Sequence, residues 1–165
     1  MGRSPRVMWV AVVAGLAGCV ACSSHDERAP LPPALAAESA TFVVTVLEAD
    51  ATAVLSPSPG SSVCVAEPFG VDPVTATTLA GVSTVYASVH CAERVAGLAF
   101  DDSPQTITVV AVHRSNPVTV EAPGDGTSHQ PDVERIFPED LRERAFEGYR
   151  DRDAAIRELA ARYAT

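Results

Sequence analysis

Val82-Ser83-Thr84-Val85-Tyr86-Ala87-Ser88-Val89-His90-Cys91 is the stretch that decides the fold. Side chains of an extended chain alternate between two sides. Val85, Ala87, Val89 and Cys91 therefore share an apolar face, while Thr84, Tyr86, Ser88 and His90 share the other. Working outward, Thr106–Val112 and Val118–Ala122 continue the β character across the tight polar connection Arg114-Ser115-Asn116-Pro117. Upstream, Ser62–Ala66 reads as a further strand and carries Cys64. The pattern predicts an α+β fold: an antiparallel sheet of about four strands, with one face covered by helix.

Helical signals surround this sheet. Leu35, Phe42, Val43, Val46, Leu47 and Val54 form a rough helical stripe over Ala34–Val54. The run Thr41-Phe42-Val43-Val44-Thr45-Val46 is rich in β formers, so a strand is the alternative there. Ser56-Pro57-Ser58-Pro59-Gly60 is expected to end the segment. Asp72-Pro73 reads as the start of a short helix, a capping side chain before a first-turn proline, with Gly81 as its stop. After the break at Gly124-Asp125-Gly126 the chain is expected to run irregularly to Pro131, then make a helical turn over Asp132–Phe137. Pro138-Glu139-Asp140 opens a single terminal helix with Leu141, Phe146, Tyr149, Ile156, Leu159 and Tyr163 on its apolar side. Asp140/Arg144, Asp153/Arg157 and Glu158/Arg162 are spaced as ion pairs along a solvated face of that helix.

The first residues read as an export signal. Arg3 and Arg6 form a positive start, and Val7–Leu16 is an apolar run without charge. Leu16-Ala17-Gly18-Cys19 follows, and it resembles the lipobox of bacterial lipoproteins. The apolar stretch reaches only to about Cys22, short of the roughly 20 residues of a spanning helix. The resemblance implies cleavage before Cys19 and a diacylglyceryl group on its sulfur. Each buried methylene contributes about 0.8 kcal/mol, so two or three acyl chains hold far better than one. Cys22, after Val20-Ala21, is the rival site, but Cys19 would then occupy the position where such motifs place Leu. The organisation expected is a signal peptide over 1–18, a lipidated cysteine with a Pro-rich tether over 19–33, and one α+β domain over 34–165.

Composition narrows the function. The mature chain would carry ten arginines, no lysine and all 21 acidic residues, a net charge of −11. Between Glu38 and Pro131 stand ten carboxylates against Arg94 and Arg114 alone. Such a body repels nucleic acid and anionic headgroups, so no nucleic-acid partner is expected and membrane contact comes from the lipid. The absence of lysine beside abundant Ala and Val points to a high-GC genome. In an oxidising compartment, Cys64 and Cys91 on two predicted strands should bridge. Closing that loop contributes about 3.5 kcal/mol on the chain-entropy model.

Catalytic patterns are sparse. His25, His90, His113 and His129 have no second histidine or carboxylate at a zinc spacing, and no metal or cofactor is expected. His90, with Tyr86 and Ser88 on its face, reads as a sheet-surface histidine. His113 ends a strand, and His129 is placed in a loop. Asp101-Asp102, before Ser103-Pro104, reads as a turn, and no Gly-X-Ser-X-Gly elbow occurs. Val85–Cys91 together with Pro131–Pro138 resembles small uncharacterised secreted proteins of high-GC Gram-positive bacteria. That likeness implies a structural role for the Ile136-Phe137-Pro138 corner, docking the terminal helix. The expectation is a lipid-anchored protein on the extracytoplasmic side of the cell membrane. It would serve as a non-enzymatic module binding an envelope protein, a cell-wall component or a small ligand. A cell-wall hydrolase with an unrecognised site, in which His90, His113 or His129 meets carboxylates in a cleft, is the alternative.

Overall fold

The computed structural model describes residues 28–55 and 61–165. The signal segment, Cys19, Cys22, His25 and the 56–60 terminator lie outside the described residues. Element order is α1 (Pro33–Ala49), β1 (Ser62–Asp72), β2 (Thr84–Glu93), β3 (Gln105–His113), β4 (Thr119–Glu121), α2 (His129–Ile136), α3 (Glu139–Glu147) and α4 (Arg152–Tyr163). The strands form one antiparallel meander in the order β1-β2-β3-β4. The α+β expectation, with its four strands, is met.

The segment with two readings is a helix. Pro33 supplies the fixed φ of the first turn. Leu35, Ser39, Val43, Val44 and Leu47 form its buried stripe. The threonines that favour a strand are satisfied inside the helix: Thr41 Oγ1 donates to Ala37 O at 3.0 Å and Thr45 Oγ1 to Thr41 O at 2.8 Å. The helix stops before the proline cluster, where the Asp50 carboxylate accepts from the backbone N–H and hydroxyl of Thr52.

β1 runs past its expected end at Ala66 to Asp72, with a register shift between Pro68 and Gly70. A Cβ at Gly70 would lie 2.5 Å from Leu141 Cδ1, so glycine there lets α3 seat on the sheet. Asp72 therefore ends a strand instead of capping a helix. Its carboxylate accepts from Tyr86 Oη at 2.6 Å, and only a three-residue 3-10 turn, Leu79–Gly81, follows.

β2 is buried on both sides, which corrects the expectation of one covered face. Val85, Ala87, Val89 and Cys91 pack with Leu35, Val43 and Leu47 of α1. On the opposite side Tyr86, Val109 and Ala111 pack with Phe69, Val133, Phe137 and Leu141. Ala92, Val63 and Val65 pack with Ala155 and Leu159 of α4. The amphipathic side chains of this second face keep their ring bodies inside and hand their polar tips to neighbours at its margin. Cys64 and Cys91 face each other in register, both fully buried, and form a disulfide.

The C-terminal region is also reorganised. α2 begins at His129, before the expected irregular stretch ends. The predicted terminal helix is two helices, divided at Gly148, whose φ of +72° suits glycine, and restarted by Asp151, which accepts from Ala154 N–H at 2.8 Å. The expected pairs along that helix give way to long-range ones. Arg144, 7% exposed, pairs with Glu67 of β1 at 2.6 Å, Asp140 with Arg28 at 2.7 Å, and Arg162 with Glu48 of α1 at 2.6 Å. Phe137 is buried between Phe69 and Tyr86, ring centroids 6.0 and 5.7 Å away, so the corner does dock the helices on the sheet.

Arg28 lies in the stretch expected to be tether, and its side chain is already fastened. It donates to Val71 O at 2.8 Å and reaches both Asp72 and Asp140. Leu31 packs against the core beneath α1.

Candidate functional site

A cleft of about 530 Å³ opens where β2, β3, the Phe100–Asp102 turn and the start of α4 meet. Strand alternation places His90, Gln105 and Ile107 on the same sheet face, because His90 pairs with Ile107 and Ala92 with Gln105. Phe100, Asp101, Arg152 and Ile156 complete its lining.

His90 is 3% exposed, which corrects its reading as a surface histidine. Its Nε2 lies 2.9 Å from Gln105 Oε1, and Gln105 Nε2 donates to Phe100 O at 2.7 Å. A carbonyl only accepts, so the Gln105 amide nitrogen must face Phe100 and its oxygen must face His90. The proton of neutral His90 therefore sits on Nε2, and Nδ1 is a buried acceptor with no partner among the described residues. Burial pushes the His90 pKa below the ordinary histidine range. The Gln105 hydrogen bond opposes this and the Arg152 charge adds to it. The site is thus a neutral imidazole in a cleft that also holds Asp101 and the exposed guanidinium of Arg152, which has no ion pair among the described residues.

The other singled-out residues lie elsewhere. His113 ends β3, with Nε2 3.2 Å from Glu121 Oε1 and Nδ1 3.1 Å from Thr84 Oγ1. His129 starts α2 and meets Phe146 edge-on at 6.0 Å. Among the described residues the three histidines thus have separate surroundings, and His90 is held by an amide. No group of three or more metal-ligating side chains occurs among the described residues. Asp101-Asp102 lies in a 3-10 turn, as the sequence suggests.

A second polar system on the same sheet face serves the fold. Tyr86, Asp72, Arg28 and Asp140 tie one end of the sheet to α3. Burial first, then the bond to Asp72, hold the Tyr86 phenol protonated far above the usual tyrosine range. Tyr149 Oη donates to Val65 O at 2.9 Å, while Glu67 accepts from Arg144 and from Arg150 N–H. Gln105, Phe100 and Arg152 were not singled out in the sequence, and Ile156 was read only as part of an apolar helix side. Nothing local marks them, since they converge only through the meander and the return of α4.

No protein-family model matches the chain, and no curated protein or solved structure is similar to it.

Proposed function

We propose that this chain is an exported envelope protein, held on the outer side of the cell membrane by lipid on Cys19, that works as a binding module. The observation that carries the reading is the fully buried Cys64–Cys91 disulfide between β1 and β2. Disulfides persist in oxidising compartments and are rare in reducing ones. The lipobox-like Leu16-Ala17-Gly18-Cys19 behind an apolar run supports the same compartment and supplies the anchor. The acidic surface favours a lipid anchor over electrostatic membrane binding. No helix among the described residues is long and apolar enough to cross a membrane. For the binding role, the support is the cleft at His90, which offers mixed polar and apolar contacts around a neutral imidazole.

Intact mass spectrometry of membrane-extracted protein, with and without reductant, tests the proposal. The expected mass is residues 19–165 plus acyl groups, rising by one pair of hydrogens on reduction. Full-length, unmodified chain with free thiols in the cytosol of its native host would overturn it.

A further inference from the structure

The His90 cleft holds two opposite charges without partners. Asp101 and Arg152 both line it, both are exposed, and neither side chain makes a hydrogen bond or ion pair among the described residues. Elsewhere Arg28, Arg135, Arg144 and Arg162 pair with carboxylates; Arg152 differs in lining a concave site with none. The turn that carries Asp101 is pinned, because Phe100 O accepts from Ser103 Oγ and from Gln105 Nε2, each at 2.7 Å. Arg152 opens α4, whose start is fixed by the Asp151 cap, and its charge reaches the His90 imidazole. The apolar part of the lining is Phe100, Ile107 and Ile156. Phe100 is steadied by His90 and Tyr163, ring centroids 6.4 and 5.6 Å away.

We infer that the cleft binds a small zwitterion with an apolar body, an α-amino acid or short peptide, its carboxylate on Arg152, its ammonium on Asp101 and its side chain on Phe100, Ile107 and Ile156. A cleft of about 530 Å³ has the size that encloses a small molecule. With His90 neutral, the ionic groups of the lining sum to zero, which matches a ligand of zero net charge. A free anion would meet Asp101 as well as the repulsion of an acidic body, and a free cation would meet Arg152. An uncharged ligand would take both ionic groups out of water and give neither a counter-charge, the costlier arrangement. The contact of a guanidinium with a carboxylate is charge-assisted and can be bidentate. The apolar body removes Ile107, 38% exposed, from water. The inference rests on the binding-module reading and names what the module holds, but it does not depend on the lipid.

The test is equilibrium dialysis of the full chain in detergent micelles against leucine, phenylalanine and dileucine. Beside them stand analogues without the ammonium (isocaproate, hydrocinnamate and N-acetyl-dileucine) and analogues without the carboxylate (isoamylamine, phenethylamine and dileucine amide). At least one zwitterion is expected to bind with a Kd of about 1 mM or tighter, and loss of either charge to weaken it about tenfold. Leucine against dileucine tells a free amino acid from a peptide. Binding should shift the methyl signals of Ile107 and Ile156. Arg152→Gln should remove the zwitterion's advantage over its carboxylate-free analogue, and Asp101→Asn its advantage over the ammonium-free one. Both side chains are exposed, so neither change should move the unfolding midpoint. Failure of all three zwitterions to bind, analogues bound as tightly as their parents, or variants that keep both preferences overturns the inference. So does binding of glucose in their place, which would give the cleft to a neutral sugar. An acylated, bridged chain in the mass experiment that binds no zwitterion would sink this inference alone.

Discussion

Phe137→Ala should be the most damaging single truncation in the helical layer. The ring is 2% exposed, at the corner between α2 and α3, against Phe69 and Tyr86. Its backbone is engaged too: the N–H donates to Val133 O, and the carbonyl accepts from Arg142 Nε at 3.1 Å. Truncating a buried phenylalanine costs about 3–5 kcal/mol, transfer and cavity together. Two flanking aromatic rings place this site toward the upper end, since each such pair adds about 0.5–1.5 kcal/mol beyond buried area. Phe137→Leu retains most of the apolar volume and loses only the ring contacts, so about 1–2 kcal/mol is expected. The exposed Phe146, 50% accessible, is the control, with Phe146→Ala within about 0.5 kcal/mol of the parent. Urea unfolding of the full chain in micelles at constant slope reads all three differences. Against a typical total of about 5–15 kcal/mol, the alanine variant should be visibly less cooperative or partly unfolded. A loss below about 1.5 kcal/mol, or equal losses for Leu and Ala, would refute the claim that this ring pins the helices to the sheet.

Removing the bridge with Cys64→Ala and Cys91→Ala should cost about 3.5 kcal/mol or more. The loop spans 27 residues of separation, and both sulfurs leave fully buried sites; unfolding with and without reductant checks it. His90 titrates below its unfolded value, so the native state binds fewer protons. Stability from this group is therefore complete above the ordinary histidine pKa of about 6.5 and is lost as pH falls through the lowered value. His90→Gln should flatten that part of the stability–pH curve, and an unchanged slope between pH values on either side of it would count against the burial argument. Gly70→Ala should destabilise by about 1–3 kcal/mol, because its Cβ meets Leu141. A cycle with Leu141→Val should show coupling between the two sites, and strict additivity would place the strain elsewhere.

Legibility in the sequence followed the range over which each signal acts. Alternation from Val82 to Cys91 depends only on adjacent residues, and β2 with its disulfide partner position was readable from it. The burial of the second face was not readable, because Tyr86 and His90 carry polar tips whose partners, Asp72 and Gln105, come from other strands. β1 was expected to end at Ala66, yet it continues through Pro68, which sits on an outward edge position that tolerates it. Gly148 and Asp151 do carry the break between α3 and α4, but regular acid–arginine spacing masked it; Arg144 and Arg162 instead reach Glu67 and Glu48. The cleft was the least accessible part, since it forms only when Arg152 and Ile156 of α4 return to His90 and the Phe100–Ile107 stretch from far along the chain.

The fastening of Arg28 has a consequence for how the molecule stands. It grips Val71 and Asp72, and Asp72 pairs with Thr84 at one end of the meander. Gln105 pairs with Ala92 toward the other end, eight strand positions away, a separation of about 26 Å. The segment that precedes Arg28 therefore joins the folded body at the Asp72–Thr84 end of the meander, and a pull on it would load β1 and α3 through that guanidinium before it reached the cleft at Gln105.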